Sequence, residues 1–215
     1  MHTSPAQRDS PRLARDELAV DPVDACPVLL GSVIEADTPG GTVAARVVEV
    51  EAYRGGDDPA SHAFRGRTAR NAVMWGPAGY LYVYLIYGMH HCLNVVCLDD
   101  GVAGAVLLRA GEIVAGERLA RSRRRAARSD DELGRGPARL ASALGLTVEH
   151  NNTDLTAPRT AVRLYAGDTI PADQVRSGGR VGVSVAADVP WRFWVDGSRA
   201  VSAYRPGGGR SRGAG

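Results

Sequence analysis

Apolar and polar residues alternate over several stretches of the chain, and a period of two is typical of β-strands. The stretches GSVIEA and TVAARVVEVEAY flank the turn DTPGG and predict a β-hairpin, whose second strand is long and rich in β-branched residues. Further strands are predicted at residues 80–86, 89–98 and 104–110 and at the stretches AVRLY, RVGVSVAA and WRFWV.

Helical patterns occur before and after these strands. Asp21 and Pro22 suit the N-cap and first position of a short helix, which Pro27 is expected to kink or end early. A helix is predicted from Ile113 to Arg128, and another over GPARLASALG with Pro137 at its first position. Strands joined mainly by hairpins, with helices clustered after them, predict an α+β fold with an antiparallel sheet.

No change of composition divides the chain, and its 215 residues suffice for one sizeable core. We expect a single domain over residues 13–205. Loose tails are expected at 1–12 and 206–215, which are polar, Gly- or Arg-rich and without periodicity. Residues 54–79 also lack a regular pattern, and a loop of that length inside a compact domain is usually functional.

The composition narrows the class of protein. An apolar content of 44% and a charged content of 23% are ordinary for a globular protein and not for a disordered or membrane chain. The first residues lack the apolar segment of a signal peptide, so we expect a cytoplasmic protein. The three cysteines fit no zinc-binding spacing and are expected to be buried, reduced thiols, so no metal site is predicted.

The chain contains no lysine, so all 26 basic residues are arginine. A G/C-rich genome is the simplest explanation, but the absence also has a chemical consequence. Only the α-amino group of Met1 could serve as the amine nucleophile of a Schiff-base mechanism. Four arginines, at positions 118, 121, 125 and 128, would share one face of the predicted helix. Such a face is more often solvated than bound to phosphate, and both interpretations stay open.

Four of the seven tyrosines lie in the segment GYLYVYLIYGMHHCLN. Strand alternation puts Tyr80, Tyr82 and Tyr84 on one face and aliphatic residues on the other. Tyr87 and Gly88 fall where the chain is expected to reverse. The rings either pack a half-exposed sheet face or form a platform for stacked bases, with Tyr87 as a wedge that enters a base stack. The pattern alone does not decide between the two.

A candidate for acid–base chemistry lies near the end of the long predicted strand. In VVEVEAY, Glu49, Glu51 and Tyr53 share one strand face, with Val48 and the following apolar residues on the other. A carboxylate beside a tyrosine suits a general base. The alternative is a solvent-exposed strand glutamate, which fits Glu49 better than Glu51.

These residues resemble the alkyladenine (3-methyladenine) DNA glycosylase family. The motif E-A-Y is followed by a histidine nine residues after that tyrosine and then by LYVYLIYGM, a far more specific combination than a short nucleotide-binding pattern. The similarity continues in GAVLLRA and GPARLASALGL, is weaker in WRFWVDGSRAVS, and covers nearly all of the chain between the tails. It implies a curved, open-barrel-like sheet with surrounding helices and a protruding β-hairpin.

The resemblance also implies a function. Such an enzyme is a monofunctional DNA glycosylase of base excision repair, which takes alkylated purines such as 3-methyladenine and 7-methylguanine, and also deaminated or etheno purines, out of double-stranded DNA. It leaves an abasic site, needs no cofactor, and would act as a monomer on DNA in the nucleoid. The alternative from the residues alone is a non-catalytic module that stacks nucleic-acid bases on its tyrosines.

Roles for individual residues follow from the same resemblance. Glu51 would activate the water that attacks the sugar, with Arg109 beside it and near the phosphate of the target nucleotide. The flipped base would lie among the side chains of Tyr53, His62, Tyr84 and Asn94. Tyr87 would fill the gap that the base leaves in the duplex, and Met89 and Arg70 would contact DNA.

Two further points concern the histidines. His90 and His91 occupy positions where the family often has aromatic residues, so this part of the hairpin would meet DNA differently. A neutral purine needs a proton to leave, and His62 is a candidate donor, with a packed core histidine as the alternative.

Overall fold

The structure is a computed structural model that describes residues 10–86 and 88–207. Its strands are β1 (Val33–Thr38), β2 (Gly41–Tyr53), β3 (Tyr80–Ile86), β4 (His90–Val96), β5 (Ala105–Ala115), β6 (Thr153–Asp154), β7 (Val162–Tyr165), β8 (Val175–Gly178) and β9 (Arg192–Val195). Its α-helices are α1 (Arg15–Leu18), α2 (Pro22–Leu29), α3 (Glu117–Arg123) and α4 (Pro137–Leu144). Within these described residues, no helix has the length and apolarity needed to cross a membrane.

Every pair of strands in the described part of the chain is antiparallel. The strands follow the order β6-β3-β4-β5-β2-β1-β7, and β9 joins β2 while β8 lies outside β9. The sheet curls into a half-barrel with the helices packed against it. The predicted α+β fold, with one curved antiparallel sheet, is therefore confirmed.

Strand β2 is shared by three neighbours, with β5 along one edge and β1 followed by β9 along the other. Its pairing with β5 is irregular on both sides of Glu49. A bulge adds a residue to one strand and so changes which residues face the core. Val47 and Val50 both pack in the main core, whereas Val48 belongs to a separate small cluster. The expectation that Val48 shares a face with Val50 is wrong for this reason.

The hairpin of β3 and β4 has the predicted alternation. Leu81 and Val83 pack in the main core, whereas Tyr82 and Tyr84 belong to a second cluster on the opposite face. Ile86 pairs with His90, so the chain reverses between them, as expected. Tyr87 itself lies outside the described residues.

Residues 54–79 contain only two 3₁₀ turns, Gly55–Asp57 and Ala72–Trp75. Side-chain bonds to the backbone hold this loop instead of regular structure. The buried amide of Asn71 donates to the carbonyl oxygens of His62 (2.8 Å) and Gly66 (3.1 Å), and its oxygen accepts from the Thr68 N–H (2.6 Å). The backbone at His62 is thereby fixed without a helix or a strand.

The helix predicted over residues 113–128 is wrong in its bounds, because only Glu117–Arg123 is helical. β5 continues to Ala115, and Gly116 then turns the chain with a φ of +71°. A Cβ at this glycine would lie 2.2 Å from the carbonyl oxygen of Thr42, so the close approach of the two backbones requires glycine. Since α3 ends at Arg123, the four arginines cannot share one helix face, and Arg121 instead pairs with Asp130. The helix α4, with Pro137 at its first position, is confirmed.

Other boundaries also differ from the sequence-based expectation. α2 continues past Pro27 to Leu29. The stretch RVGVSVAA at 180–187 forms no strand. At the N-terminus, Arg12 bridges to Tyr165 and donates to the carbonyl of Ala157 at 2.9 Å, so the packed region begins before residue 13. The remaining tail residues, 1–9 and 208–215, lie outside the described part.

Candidate active site

A cavity of about 380 Å³ lies against the tyrosine face of β3 and β4. Five of the side chains that the sequence predicted for the site line this cavity: Tyr53, His62, Tyr84, Asn94 and Arg109. They come from β2, the long loop, β3, β4 and β5, so the curled sheet brings together residues that are far apart in sequence. The segment 181–185 closes another side of the cavity.

Glu51 lies directly behind the cavity wall, with no exposure to solvent. One carboxylate oxygen, Oε2, accepts from the Tyr53 hydroxyl at 2.9 Å and from Arg109 Nη1 at 3.3 Å. The other oxygen, Oε1, accepts from the Val181 N–H at 2.6 Å. All three donors belong to residues of the cavity wall, so the carboxylate is oriented by groups that would touch a ligand.

Glu49 is equally buried, and the expectation of a solvent-exposed glutamate at this position is wrong. Its Oε1 accepts from Arg109 Nε at 3.1 Å and from Arg192 Nε at 2.6 Å, and its Oε2 accepts from the Ser202 N–H at 2.8 Å. The bulge around Glu49 and the pairing of β9 with this end of β2 create these contacts. Sequence analysis missed this role, although the repeated acid in E-V-E is a local signal for it.

Arg109 therefore bridges the two glutamates. Burial by itself lowers the pKa of Arg109, but the negative charges of Glu51 and Glu49 outweigh it and raise the pKa above its ordinary value. The guanidinium thus carries a fixed positive charge beside the Glu51 carboxylate. A third bond, from Nη2 to the Ser202 hydroxyl at 3.2 Å, completes its anchoring.

The aromatic wall is a compact set of edge-to-face and tilted rings. His62 lies with its ring centroid 4.5 Å from that of Tyr84, and Tyr82 is 5.5 Å from Tyr84. The Tyr82 oxygen is 3.2 Å from His62 Nδ1. Burial raises the pKa of Tyr82 to about 12, so the phenol keeps its proton and can donate to this nitrogen. An imidazole that accepts at Nδ1 carries its own proton on Nε2.

His62 is neutral at neutral pH. Exclusion of water around part of the ring lowers its pKa, and the positive charge of Arg70 lowers the pKa further. At Tyr53, burial raises the pKa well above its usual value, and the nearby Glu51 carboxylate raises it again. The Tyr53 phenol therefore remains a hydrogen-bond donor to Glu51 over the whole neutral range.

Asn94 and Tyr84 complete the predicted base-binding set. The Asn94 amide donates from Nδ2 to the carbonyl of Tyr82 at 3.1 Å, which fixes the orientation of the amide in the wall. At Tyr84, burial is the main reason that the pKa is raised, and the Cys92 thiol adds to it. This thiol lines the cavity as well, and burial raises its pKa.

The residues predicted to contact DNA lie outside the cavity. Arg70 is exposed, donates to the carbonyl of Leu85 at 3.0 Å, and has its guanidinium carbon 5.6 Å from the Tyr84 ring centroid. Met89 is 69% exposed and Leu85 38%, so the end of the β3–β4 hairpin presents apolar side chains to solvent. The position of Tyr87 is not described, and its predicted role stays a prediction. Within residues 10–86 and 88–207, no group of three or more potential metal ligands is found.

A buried glutamate held by an arginine behind a ring-lined cavity, on a curled antiparallel sheet, is an arrangement that suits hydrolysis of a bond to a flat base. The comparison with known families assigns the class of protein, which is that of the DNA N-glycosylases. A family model described as methylpurine-DNA glycosylase (MPG) matches residues 16–199, and the chain belongs to this family, as its sequence motifs predicted.

Similar proteins from three bacteria carry names that assign them, provisionally, as 3-methyladenine DNA glycosylases. The Streptomyces avermitilis protein is 53% identical over 202 residues, covering 93% of this chain and 95% of the relative. The Nocardia farcinica protein is 55% identical over 196 residues, covering 88% and 90%. The Rhodococcus jostii protein is 50% identical over 190 residues, covering 86% and 82%.

Proposed function

We propose that this enzyme excises alkylated purines, with 3-methyladenine and 7-methylguanine as its main substrates, from double-stranded DNA by simple hydrolysis. Hypoxanthine and etheno-adenine are further candidate substrates. The names of the three relatives support the first of these bases. The observation that carries the proposal is the Glu51 carboxylate, held by Arg109 directly behind a cavity of aromatic side chains.

The depth of this carboxylate requires the base to leave the duplex. A purine that remains stacked in DNA cannot reach a group buried behind a cavity wall, so the nucleotide must swing out, at a cost of a few kcal/mol for unstacking and unpairing. Tyr87, which follows β3 in the sequence, would fill the space that the base leaves and so offset part of this cost. Met89 and Arg70, which flank the hairpin end, would contact the DNA backbone around the flipped nucleotide. One enzyme molecule suffices for one flipped base, so we expect a monomer.

Glu51 would act on water at the anomeric carbon of the flipped nucleotide. The water oxygen forms a bond to C1′ while the bond from C1′ to the base nitrogen breaks and its electron pair leaves with the base. The proton of the water passes to the Glu51 carboxylate. The negative charge of this carboxylate also stabilises the positive charge that develops on the sugar. Arg109, anchored by Glu49 and Ser202, would keep the carboxylate in place and attract the nearby phosphate.

Charged bases suit this site best. A purine alkylated at N3 or N7 carries a positive charge and leaves without being protonated, so one carboxylate is enough where ordinary glycosidases use two. A cation against aromatic faces gains roughly 0.5–2 kcal/mol. Tyr53, His62 and Tyr84 provide such faces in the cavity wall.

A neutral base needs a proton or a hydrogen bond from the enzyme in order to leave. Because the pKa of His62 is lowered, the imidazole is neutral at working pH and is a poor source of a full proton. Its Nε2–H can still donate a hydrogen bond to a leaving base. We therefore expect slower release of hypoxanthine and etheno-adenine than of cationic purines.

The test is release of free base from duplex DNA that contains each of the four lesions, under single-turnover conditions. Wild type should release at least the cationic bases, whereas Glu51→Gln should bind the same DNA without turnover. Glu149→Gln removes an exposed glutamate and serves as the matched control, with wild-type rates expected. If the wild type releases none of the bases, the proposed substrates are wrong. If Glu51→Gln keeps its full rate, the proposed role of Glu51 is wrong.

A further inference from the structure

A second buried ion pair lies behind the cavity and takes no part in the chemistry described above. Arg180 and Asp58 both have side chains without solvent exposure. The guanidinium donates from Nη1 to Asp58 Oδ2 at 2.5 Å and from Nη2 to Asp58 Oδ1 at 2.8 Å, a two-pronged pairing. Nη1 also donates to the carbonyl of Ala52 at 3.0 Å, whereas Nε finds no partner among the described residues.

The guanidinium of this pair stacks on a ring of the cavity wall. Its central carbon is 4.8 Å from the ring centroid of Tyr53 and 5.2 Å from that of Trp191. In the part of the chain that the structure describes, Tyr53 lines the cavity and Arg180 does not. The Tyr53 ring therefore separates the guanidinium from the space in which a base would lie.

Stability alone is a weak reason for such a pair. Two charges taken out of water lose much hydration, and well-packed apolar side chains of similar volume often stabilise a protein as well or better. Arginine keeps its charge in any protein environment, so a positive charge behind Tyr53 is permanent. Its effect on the cavity then depends on whether a negative charge accompanies it.

We infer that Asp58 neutralises Arg180 behind Tyr53 and thereby allows the cavity to accept a positively charged base. This inference rests on the proposed function, and it makes Asp58 a positioning residue that acts through Arg180 and Tyr53. The mechanism is electrostatic. An uncompensated guanidinium would repel a cation on the far side of the ring, and this repulsion is large because water is excluded between them. A neutral base would feel almost none of it.

Asp58 also has a place in the loop that forms the wall. Its Oδ1 accepts from the Ala60 N–H at 3.0 Å, and Ala60 lines the cavity. A substitution could therefore slow every substrate by moving the loop. Only the charge effect distinguishes a cationic base from a neutral one, so the ratio of two rates on the same protein sample isolates it. The folded fraction of the sample cancels in that ratio.

The experiment compares single-turnover release of 7-methylguanine and hypoxanthine from duplexes of the same sequence with the enzyme below saturation, so that each rate includes entry of the base into the cavity. Asp58→Asn keeps the shape of the side chain and removes its charge. We expect the ratio of the 7-methylguanine rate to the hypoxanthine rate to fall about tenfold in this variant. Asp57→Asn makes the same charge change at the neighbouring, exposed aspartate and should leave the ratio at the wild-type value. The double variant Asp58→Asn/Arg180→Met has neither charge and should restore the ratio.

The outcomes separate this inference from the proposed function. If wild type releases neither 7-methylguanine nor hypoxanthine, and no other alkylated purine, the proposed function fails and the inference fails with it. If wild type is active and Asp58→Asn keeps the wild-type ratio within about twofold, the inference alone is overturned. Should Asp58→Asn fail to fold, the double variant decides, because a ratio about tenfold below wild type in the absence of both charges would contradict the inference.

The same variants also test the inference when no ratio of rates can be measured. If wild type releases no neutral base, the 7-methylguanine rate per folded enzyme replaces the ratio. We then expect Asp58→Asn to be about tenfold slower than the double variant, since the double variant shares the loss of Asp58 but not the unpaired charge. Equal rates in the two variants would overturn the inference.

Discussion

Two glutamates on the same strand, two residues apart, are both fully buried and both bound to Arg109, yet their surroundings differ. Glu51 receives its other bonds from the Tyr53 hydroxyl and the Val181 N–H, which belong to the cavity wall. Glu49 receives its other bonds from Arg192 and Ser202, which are not among the described residues that line this cavity. Burial does not separate the two carboxylates, but their partners do.

The difference indicates a division of labour. Glu51 has donors that a bound nucleotide could displace or reorient, so this carboxylate can change its interactions during a reaction. Glu49 accepts from three neighbours that form a permanent frame, so its effect on chemistry passes through the position of Arg109.

The largest effect is expected for Glu51→Gln. Loss of a general base typically slows a reaction by 10²–10⁴, and we expect a loss of about 10³ in the single-turnover rate of 7-methylguanine release. The amide oxygen can still accept from the Val181 N–H and the amide nitrogen can donate to the Tyr53 oxygen, while Arg109 keeps its bonds to Glu49 and Ser202, so the fold should survive. Gel-shift titration with lesion DNA should show binding close to wild type. If the variant loses DNA binding and turnover together, Glu51 has a structural role like that of Glu49, and the proposed difference between the two glutamates is wrong.

Glu49→Gln should act on both stability and rate. Removing one partner from a buried ion pair leaves charge uncompensated, here on Arg109 and Arg192, and we expect a loss of about 3 kcal/mol in the free energy of unfolding. The rate per folded enzyme should fall about tenfold, because Arg109 loses an anchor while Glu51 remains. Urea denaturation and active-site-corrected rates measure the two effects. A rate loss as large as that of Glu51→Gln would show that both glutamates take part in the chemistry.

This pair also shows how far the sequence alone could lead. The strand alternation, the tyrosine hairpin and the family motif predicted that Glu51, Tyr53, His62 and Arg109 belong to one site, and the cavity wall or its backing contains all four. The burial of Glu49 was not predicted, because it depends on a bulge and on the pairing of β9 from far along the chain. A strict period of two gives no signal for a bulge.

In the segment at 180–187, by contrast, the sequence pattern predicts regular structure that does not form. Its alternating valines predict a strand, but the structure gives it none, since its polar groups bind other parts of the chain. The Val181 N–H donates to Glu51, and the Arg180 guanidinium pairs with Asp58, 122 positions earlier. These contacts join an irregular segment to the strand β2 and to the long loop, and no local pattern of residues encodes them.

A smaller effect is expected for Tyr53→Phe. The change removes the hydroxyl that donates to Glu51 Oε2 and keeps the ring that covers Arg180. A hydrogen bond to a charged group contributes about 1.5–3 kcal/mol, part of which Arg109 can replace, so we expect a rate about tenfold below wild type or somewhat closer to it. The ratio of 7-methylguanine to hypoxanthine release should stay unchanged, because the charge behind the ring is unchanged. A shifted ratio would mean that the hydroxyl contacts the base itself.

Absence of lysine leads to a qualitative prediction about the product. Without a side-chain amine there is no Schiff base with the opened sugar, so the DNA strand should remain intact after base release. Denaturing gels of the product, before and after alkaline cleavage of abasic sites, measure this. Sodium borohydride should trap no covalent complex. Strand cleavage by the enzyme that disappears when the α-amino group is blocked would assign lyase activity to Met1.

The smallest effect concerns His62 and pH. The pKa of His62 lies below its ordinary value of about 6.5. The ring is therefore neutral at pH values above 6.5 and gains a proton only when the pH falls below 6.5. A positive charge at this wall repels a cationic base. As the pH is lowered stepwise from 7.5 to below 6.5, the ratio of 7-methylguanine to hypoxanthine release should therefore fall in wild type and stay flat in His62→Gln. Arg70→Ala removes a charge that lowers the pKa of His62, so the fall should begin at a higher pH in that variant. A ratio that falls equally in His62→Gln would mean that another group at the site titrates.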